Sequence, residues 1–397
     1  MRISRRDIVL LPLIAVLTPF TLMQTTEIVL SHLYVKSARH LGSCMDFAHA
    51  DAGIPNFPNC STVDKLYETP LVHYSFNECG LRSVAGCEAT TPGTYRIAML
   101  GTSVGMGQWV EYDQTLAPQI EHDVANATHK KISVANYSRM EEAPPLMLHQ
   151  LPEILQKKPS MVLVVVSPYD VKISSARSED VIHIAQMAKA NRYQWWGQYL
   201  QIILRENNAS AIAQTMLAHM RSRMQQYRMA TLVEEFLYSS QSRYLHQYLE
   251  GDNAETGYLD EHPTASWEQS YASFSTAVRQ MAALTEADHI PLAVALLPTH
   301  AQVVMLEDPK LTAQYKEFDP DFVDEKLNAI VEDNGGVFLD IFKDCAARKN
   351  LGKQYFFENG HPNGIALTIY AQMIAERLTS GVVPELKVES SANKEQE

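Results

Sequence analysis

The amino-acid sequence predicts an α/β fold, in which a five-stranded parallel sheet is covered by helices on both faces. Five short runs are apolar at nearly every position and are bounded by turn residues, which is the pattern of strands buried on both faces. Helical patterns lie between these runs, and strands that alternate with helices form a parallel sheet. The length of 397 residues, of which 46% are hydrophobic, suits one large domain or two small ones.

The predicted elements follow one another from residue 95 onward. The strands are 95–101, 131–136, 160–166, 290–297 and 336–341. The helical patterns are 114–125, 146–156, 266–284, 321–332 and 363–378. Together these elements predict a flavodoxin-like three-layer sandwich.

One long stretch, residues 172–262, interrupts the alternation between the third and fourth strands. It is rich in Met, Gln, Tyr and Arg, has mostly helical patterns, and contains no strong strand. We interpret it as a helical insertion, which either packs on the domain or forms a lid or a wall of the substrate cleft. The main domain then covers residues 95–384, and the polar tail 385–397 is predicted to be disordered.

The charge distribution argues against a nucleic-acid partner, because a formal net charge of −13 repels a phosphate backbone. The basic cluster of the chain is three arginines within the first six residues, ahead of an uncharged run at 8–26. This is the pattern of a signal peptide or a transmembrane anchor, and Ser4-Arg5-Arg6-Asp7-Ile8 also resembles a twin-arginine export signal. We predict that residues 1–35 anchor the chain in the cell inner membrane, facing the periplasm. If they are cleaved, the protein is periplasmic or secreted.

Cysteines mark the segment that follows, residues 36–94, which is rich in Pro, Asn and Gly and has few periodic runs. We call residues 36–94 the prelude and predict that it is loop-rich. An exported chain meets an oxidising compartment, so its four cysteines indicate disulfides, and short local loops favour Cys44–Cys60 and Cys79–Cys87. Cys345 is then left free. A zinc site is the rival interpretation, but no CxxC pair or close histidine supports it.

The first candidate for chemistry is a serine in the loop after the first strand of the main domain. Parallel sheets of this kind bind ligands beyond the carboxyl ends of their strands. The loop there reads Gly101-Thr102-Ser103-Val104-Gly105-Met106-Gly107. A serine at the entrance to a helix lies near backbone N–H groups that stabilise developing negative charge, and glycines let a substrate approach closely. We therefore predict that Ser103 is a nucleophile.

The second candidate is the base that a serine nucleophile needs. His361 lies after the fifth strand and just before the last helix, within Phe356-Phe357-Glu358-Asn359-Gly360-His361-Pro362-Asn363. In a parallel sheet this loop lies at the same edge as the loop that holds Ser103. Glu358 precedes the histidine by three residues and is predicted to orient the imidazole and to stabilise its cation.

These two blocks together resemble the SGNH/GDSL hydrolases over residues 77–380, outside the insertion. Gly101-Thr102-Ser103 is similar to the first block of that family, with Thr102 in place of the usual Asp. Glu358-x-x-His361-Pro362-Asn363 is similar to its Asp-x-x-His block, with Glu in place of Asp. The extension through Gly107 and Val110, preceded by Asn77-x-x-Gly80-x-Arg82, looks like bacterial members found with cell-surface polysaccharide genes.

The resemblance also implies an oxyanion hole, although its blocks are altered. Where the family has a Gly whose N–H enters the hole, this chain has Ser138, whose backbone N–H would serve. The third block reads Ser167-Pro168-Tyr169-Asp170, so Tyr169 replaces the Asn donor and either offers its hydroxyl from a longer arm or packs. Asp340, at the end of the fifth strand, is a second candidate for orienting the histidine.

The activity that the resemblance implies is acyl transfer through an acyl-serine intermediate, with no metal or organic cofactor. We favour a serine esterase that removes acyl groups, O-acetyl above all, from a cell-surface or secreted glycan. The expected partners are an acylated carbohydrate and, through the N-terminal segment, the membrane. One alternative is an O-acetyltransferase that moves acetyl onto an exopolysaccharide. Another is a catalytically weak glycan-binding or scaffold protein.

Overall fold

The computed structural model describes most of the main domain and much of the prelude. The described residues are 5–33, 38–46, 55–65, 69–84, 86, 92–140, 142–175, 240–250, 256–347, 356–357 and 360–388. Most of the predicted insertion, most of the predicted tail, and Glu358 lie outside these residues.

The main domain is built on a parallel sheet of five strands, as the sequence predicts. These are β4 (Tyr95–Gly101), β5 (Ile132–Asn136), β6 (Met161–Val166), β7 (Leu292–Leu296) and β8 (Val337–Leu339). Their order across the sheet is β5-β4-β6-β7-β8, and every neighbouring pair is parallel. Each residue of β6 and β7 is buried, which explains why these strands are apolar at every position.

Helices of the main domain cover both faces of this sheet. Among the described residues, the N-terminal segment forms α1 (Arg5–Leu33), and the main domain contains α2 (Ser103–Met106), α3 (Leu116–Thr128), α4 (Pro144–Gln156), α5 (Pro168–Lys172), α6 (Gln241–Leu249), α7 (Ala265–Ala287), α8 (His300–Glu307), α9 (Pro309–Thr312), α10 (Phe322–Asp333), α11 (Phe342–Ala347) and α12 (Gly364–Arg377). Alternate residues of β6 enter two separate cores. Val162, Val164 and Val166 pack with α4, α7 and α10 on one face, and Met161, Leu163 and Val165 pack with α3 and α12 on the other. The three-layer sandwich is thereby confirmed.

The prelude contains a small antiparallel sheet that the sequence pattern did not predict. Its strands are β1 (Ala38–Arg39), β2 (Ser61–Lys65) and β3 (Val72–Ser75), in the order β1-β2-β3. They escape notice because runs of two to five residues are too short to display an alternating pattern. The core beneath them joins the prelude to the main domain, since Cys44, Tyr74 and Phe76 pack together with Met106 of α2.

The cysteines follow the predicted pairing where the structure describes them. Cys44 and Cys60 form a disulfide with a Cα–Cα distance of 5.6 Å, and Cys345 is free and buried. Cys79 is disulfide-bonded, while its predicted partner Cys87 lies outside the described residues. The predicted Cys44–Cys60 disulfide and the free Cys345 are therefore confirmed.

The N-terminal segment forms the long helix α1. Within the parts of the chain that the structure describes, no helix is both long and apolar enough to cross a bilayer. Attachment to the membrane through residues 1–35 stays a prediction.

Candidate active site

Ser103 lies at the carboxyl edge of the sheet, where β4 ends at Gly101 and α2 begins. The short helix closes at Gly107, whose φ of 77° is in the left-handed region that glycine adopts without strain. Gly105 is required for a different reason, because a Cβ built on it would lie 2.6 Å from the hydroxyl oxygen of Ser138. The glycines of this motif thus allow a tight turn and a close approach of the neighbouring loop.

His361 meets Ser103 across the sheet edge. The Oγ atom of Ser103 lies 3.1 Å from the Nε2 atom of His361, which is within hydrogen-bonding distance. The histidine is fixed on both sides: the N–H of Phe357 donates to its carbonyl oxygen at 2.8 Å, and Asn363 caps α12 by accepting from two backbone N–H groups. The two residues predicted as nucleophile and base are therefore brought together by the fold.

Burial also sets the protonation state of the histidine. It lowers the pKa of His361 to about 4 from the ordinary value of 6.5, because the charged imidazolium loses its hydration. The imidazole is consequently neutral at neutral pH. A neutral imidazole can accept the proton of a serine hydroxyl, whereas the cation cannot.

This shift predicts an unusual pH profile. We expect kcat/KM for a simple ester to stay constant down to about pH 5 and then to fall, as protonation of His361 at a pKa of about 4 removes the base. Circular dichroism at each pH would show that the chain stays folded. A midpoint of the pH profile at or above 6.5, the ordinary pKa of histidine, would contradict this expectation. It would point to a nearby carboxylate that offsets the effect of burial on the pKa of His361.

The predicted orienting residues have different outcomes. Glu358 lies outside the described residues, so its predicted role stays a prediction. Asp340 forms an ion pair with Lys343, with 2.9 Å between Oδ2 and Nζ, and its Oδ1 accepts the backbone N–H of Lys343 at 3.3 Å. This carboxylate is engaged by a lysine three residues along the chain.

The Ser138 amide is also engaged in this structure. Its N–H donates to the Oδ1 atom of Asn136 at 3.0 Å, while the Nδ2 atom of Asn136 donates to the carbonyl oxygen of Gly105 at 2.9 Å. The Ser138 hydroxyl is buried against Gly101 and Gly105, and among the described residues its oxygen has no hydrogen-bond partner. To act as an oxyanion donor, the Ser138 amide would have to exchange Asn136 for the substrate.

Tyr169 and Asp170 lie at the start of α5, which follows β6 at the same edge. Tyr169 is 56% exposed, so its side chain is not buried in the core. Asp170 is 2% exposed and accepts hydrogen bonds from Thr102 Oγ1 at 2.7 Å and from the N–H and hydroxyl of Ser167 at 2.7 and 2.9 Å. Asp170 therefore joins the third block to Thr102, the residue beside Ser103.

This contact gives a physical reason for threonine at position 102. The Thr102 hydroxyl donates to the Asp170 carboxylate in a buried environment. An aspartate at 102 would place two carboxylates in contact there, which is stable only when one of them carries a proton. Sequence reasoning missed the Thr102–Asp170 pair, since the two residues are far apart along the chain.

The prelude supplies further residues around the site that sequence reasoning did not assign. Arg82 is 2% exposed, and its guanidinium lies 4.1 Å from the ring of Tyr74. It donates to the carbonyl oxygens of Met106 at 3.0 Å, of Val110 at 2.5 Å, and of Gly107. The only signal in the sequence was its place in the Asn77-x-x-Gly80-x-Arg82 motif. Arg82 holds the loop that follows Ser103 and α2.

A metal site does not emerge from the described residues, among which no group of three or more His, Cys, Asp or Glu side chains is arranged to hold an ion. The groups in contact at the sheet edge are the hydroxyl of Ser103 and the neutral imidazole of His361.

The fold places this pair of residues as the sequence predicts. The parallel sheet has the order β5-β4-β6-β7-β8, with Ser103 after β4 and His361 before the last helix, and the two residues meet at one edge of the sheet.

Comparisons with known proteins give matches among solved structures, whereas no family model and no curated protein matches the sequence. The chain is similar to a lipase/acylhydrolase from Enterococcus faecalis, at 10% identity over 75% of this chain and 99% of that one, with a TM-score of 0.37. It is similar to a lipolytic G-D-S-L family protein from Veillonella parvula, at 10% identity over 71% and 95%, with a TM-score of 0.32. A two-domain esterase active on acetylated mannans matches at 11% identity over 75% and 50%, with a TM-score of 0.34.

Proposed function

We propose that this protein is a serine esterase that removes acyl groups, chiefly O-acetyl, from a cell-surface or secreted glycan. The observation that carries the proposal is the 3.1 Å separation between Ser103 Oγ and His361 Nε2, with the imidazole held neutral by burial. A hydroxyl in contact with a neutral imidazole is the activated form of a serine nucleophile.

The reaction follows from this pair. Ser103 Oγ attacks the ester carbonyl carbon as its proton passes to Nε2 of His361, which gives a tetrahedral intermediate with a negative oxygen. The proposed donors to this oxygen are the backbone N–H of Ser103 at the start of α2 and the hydroxyl of Tyr169. The amide of Ser138 would join them once it releases Asn136. His361 then returns the proton to the departing sugar oxygen, and the C–O bond breaks. Water, deprotonated by the same imidazole, hydrolyses the acyl-serine and restores the hydroxyl.

The glycan and the compartment belong to the same proposal. The extension from Asn77-x-x-Gly80-x-Arg82 to Val110 resembles bacterial members found with polysaccharide genes, and an acylated carbohydrate suits a protein that works outside the cytoplasm. The Cys44–Cys60 disulfide supports an oxidising compartment. We propose that residues 1–35 hold the active site on the periplasmic side of the inner membrane, or direct export if they are cleaved. Fractionation and N-terminal sequencing of the mature chain separate these two outcomes.

The experiment that tests the activity is turnover of p-nitrophenyl acetate by the full chain, with and without a deacetylated polysaccharide as acceptor. An esterase releases acetate at a rate that the acceptor does not change. Transfer of acetyl to the polysaccharide would show that the protein is an O-acetyltransferase and not an esterase. No turnover, together with retention of the chain on an acetylated-polysaccharide column, would overturn catalysis in favour of a glycan-binding protein.

Tyr169→Phe tests the second oxyanion donor. Tyr169 is exposed and adjacent to Asp170, whose carboxylate contacts the residue beside Ser103. An oxyanion donor acts mainly in the transition state, so we expect kcat to fall about tenfold to a thousandfold while KM changes little. Phe retains the ring, so the melting temperature should stay the same. A kcat within twofold of the wild-type value would remove Tyr169 from the oxyanion hole.

A further inference from the structure

Trp109 contacts the histidine of the site from the loop that follows the nucleophile. The Trp109 and His361 ring centroids lie 4.8 Å apart, with an angle of 71° between the ring planes. The backbone of Trp109 has a φ of 61°, in the left-handed region that a bulky residue rarely adopts. Such a conformation persists only where surrounding contacts hold it in place, and it often occurs at functional sites.

Two buried residues of the prelude hold Trp109. The indole Nε1–H donates to Oδ2 of Asp64 in β2 at 2.9 Å, and the backbone N–H donates to the hydroxyl of Tyr74 in β3 at 2.7 Å. Asp64 and Tyr74 are 5% and 1% exposed. A bond to a buried carboxylate is stronger than one between neutral groups, so the indole has a fixed orientation.

We propose that Trp109 is a positioning residue, which holds the imidazole of His361 against Ser103 and is itself held by Asp64 and Tyr74 of the prelude. The inference rests on the proposed function, since it concerns the base of that reaction. An indole in edge-to-face contact with the imidazole restricts the rotation of the imidazole and excludes water from one side of it. The prelude is then part of the active site, because its sheet fixes the indole that fixes the base.

Positioning has a recognisable kinetic consequence. Displacement of a catalytic group by about 1 Å can cost about a hundredfold in rate, although substrate binding is unaffected. Trp109→Phe keeps an aromatic ring but loses the bond to Asp64, so we expect kcat to fall about tenfold to a hundredfold with KM within about twofold. Asp64→Ala frees the indole and should have a smaller effect in the same direction. Asp64→Asn keeps an acceptor and should recover part of the loss.

A double-mutant cycle separates positioning from general damage. Because Asp64 acts through the indole, Asp64→Ala should lower kcat in the wild-type chain and should change it little in the Trp109→Phe chain. The matched control is Ser75→Ala, an exposed position of β3 next to Tyr74, which should leave kcat unchanged. If Asp64→Ala lowers kcat equally in the wild-type chain and in the Trp109→Phe chain, the proposal that Asp64 acts through Trp109 is wrong.

A readout without turnover completes the test. In full-length protein with 15N-labelled histidine, the imidazole signals of His361 should shift in Trp109→Phe and stay in place in Ser75→Ala, since a ring at 4.8 Å shields or deshields neighbouring nuclei. Labelling of Ser103 by a p-nitrophenyl phosphonate distinguishes failure of the proposed function from failure of the positioning proposal. If the wild-type chain is not labelled, the proposed function fails. If it is labelled and Trp109→Phe is labelled equally fast, with unshifted His361 signals, positioning by Trp109 is wrong.

Discussion

Ser103→Ala is expected to lower kcat/KM for p-nitrophenyl acetate by at least about a thousandfold, while the chain stays folded. In the proposed reaction the Ser103 hydroxyl supplies the atom that forms the acyl-enzyme, and the neighbouring groups cannot replace it. The substitution removes one hydrogen bond, to His361 Nε2 at 3.1 Å, which contributes on the order of 1 kcal/mol to stability. The melting temperature should therefore change little.

The control for this variant is Ser380→Ala, which removes an exposed hydroxyl beyond the end of α12. It should turn over the ester at the wild-type rate. Phosphonate labelling should modify the wild-type chain and Ser380→Ala, and it should leave Ser103→Ala unmodified. Native circular dichroism together with unchanged turnover in Ser103→Ala would show that another residue is the nucleophile.

The sheet could be predicted because its central strands carry an unmistakable pattern. β6 and β7 are buried at every position, so each had to be apolar throughout, and short runs of this kind between helices form parallel strands. The edge strand β8 shows the limit of the pattern. Residues 336–341 are predicted as one strand, whereas only Val337–Leu339 pair with β7. Apolar character extends past the last ladder hydrogen bond because Ile341 still enters the core.

The contact between Ser103 and His361 could be predicted because the topology of the sheet, rather than the local sequence, brings the two residues together. Both residues follow strands of one parallel sheet, and the carboxyl ends of such strands share an edge. The contacts of Trp109 and Ser138 could not be predicted in this way. Trp109 is held by short strands of the prelude, which display no periodicity. The Ser138 amide meets an Asn136 side chain whose direction depends on the packing of Gly105.

Arg82 gives the second large effect, on stability rather than rate. Its buried guanidinium donates to the carbonyl oxygens of Met106, Gly107 and Val110 and lies over the ring of Tyr74. These carbonyls belong to the last residue of α2 and to the loop that follows it, so one side chain joins the prelude to the loop that carries Trp109. Burial lowers the pKa of Arg82 from its ordinary value because the charge loses its hydration. The guanidinium nevertheless stays charged and donates its hydrogen bonds to the three carbonyls.

Arg82→Met is expected to reduce the free energy of unfolding by about 3–5 kcal/mol. Methionine retains the bulk of the side chain but leaves buried carbonyl oxygens without donors, each of which costs about 1–3 kcal/mol. Arg82→Lys should recover little, because an ammonium group on a flexible chain cannot reproduce a planar fork that reaches several carbonyls. Urea unfolding of the full chain, followed by circular dichroism, measures the difference in the free energy of unfolding.

The matched control is Arg279→Met on the exposed face of α7. Its free energy of unfolding should lie within about 0.5 kcal/mol of the wild-type value. If Arg82→Met unfolds at the same urea concentration as Arg279→Met, the guanidinium does not hold the loop. Trp109 would then depend on Asp64 and Tyr74 alone for its place against His361.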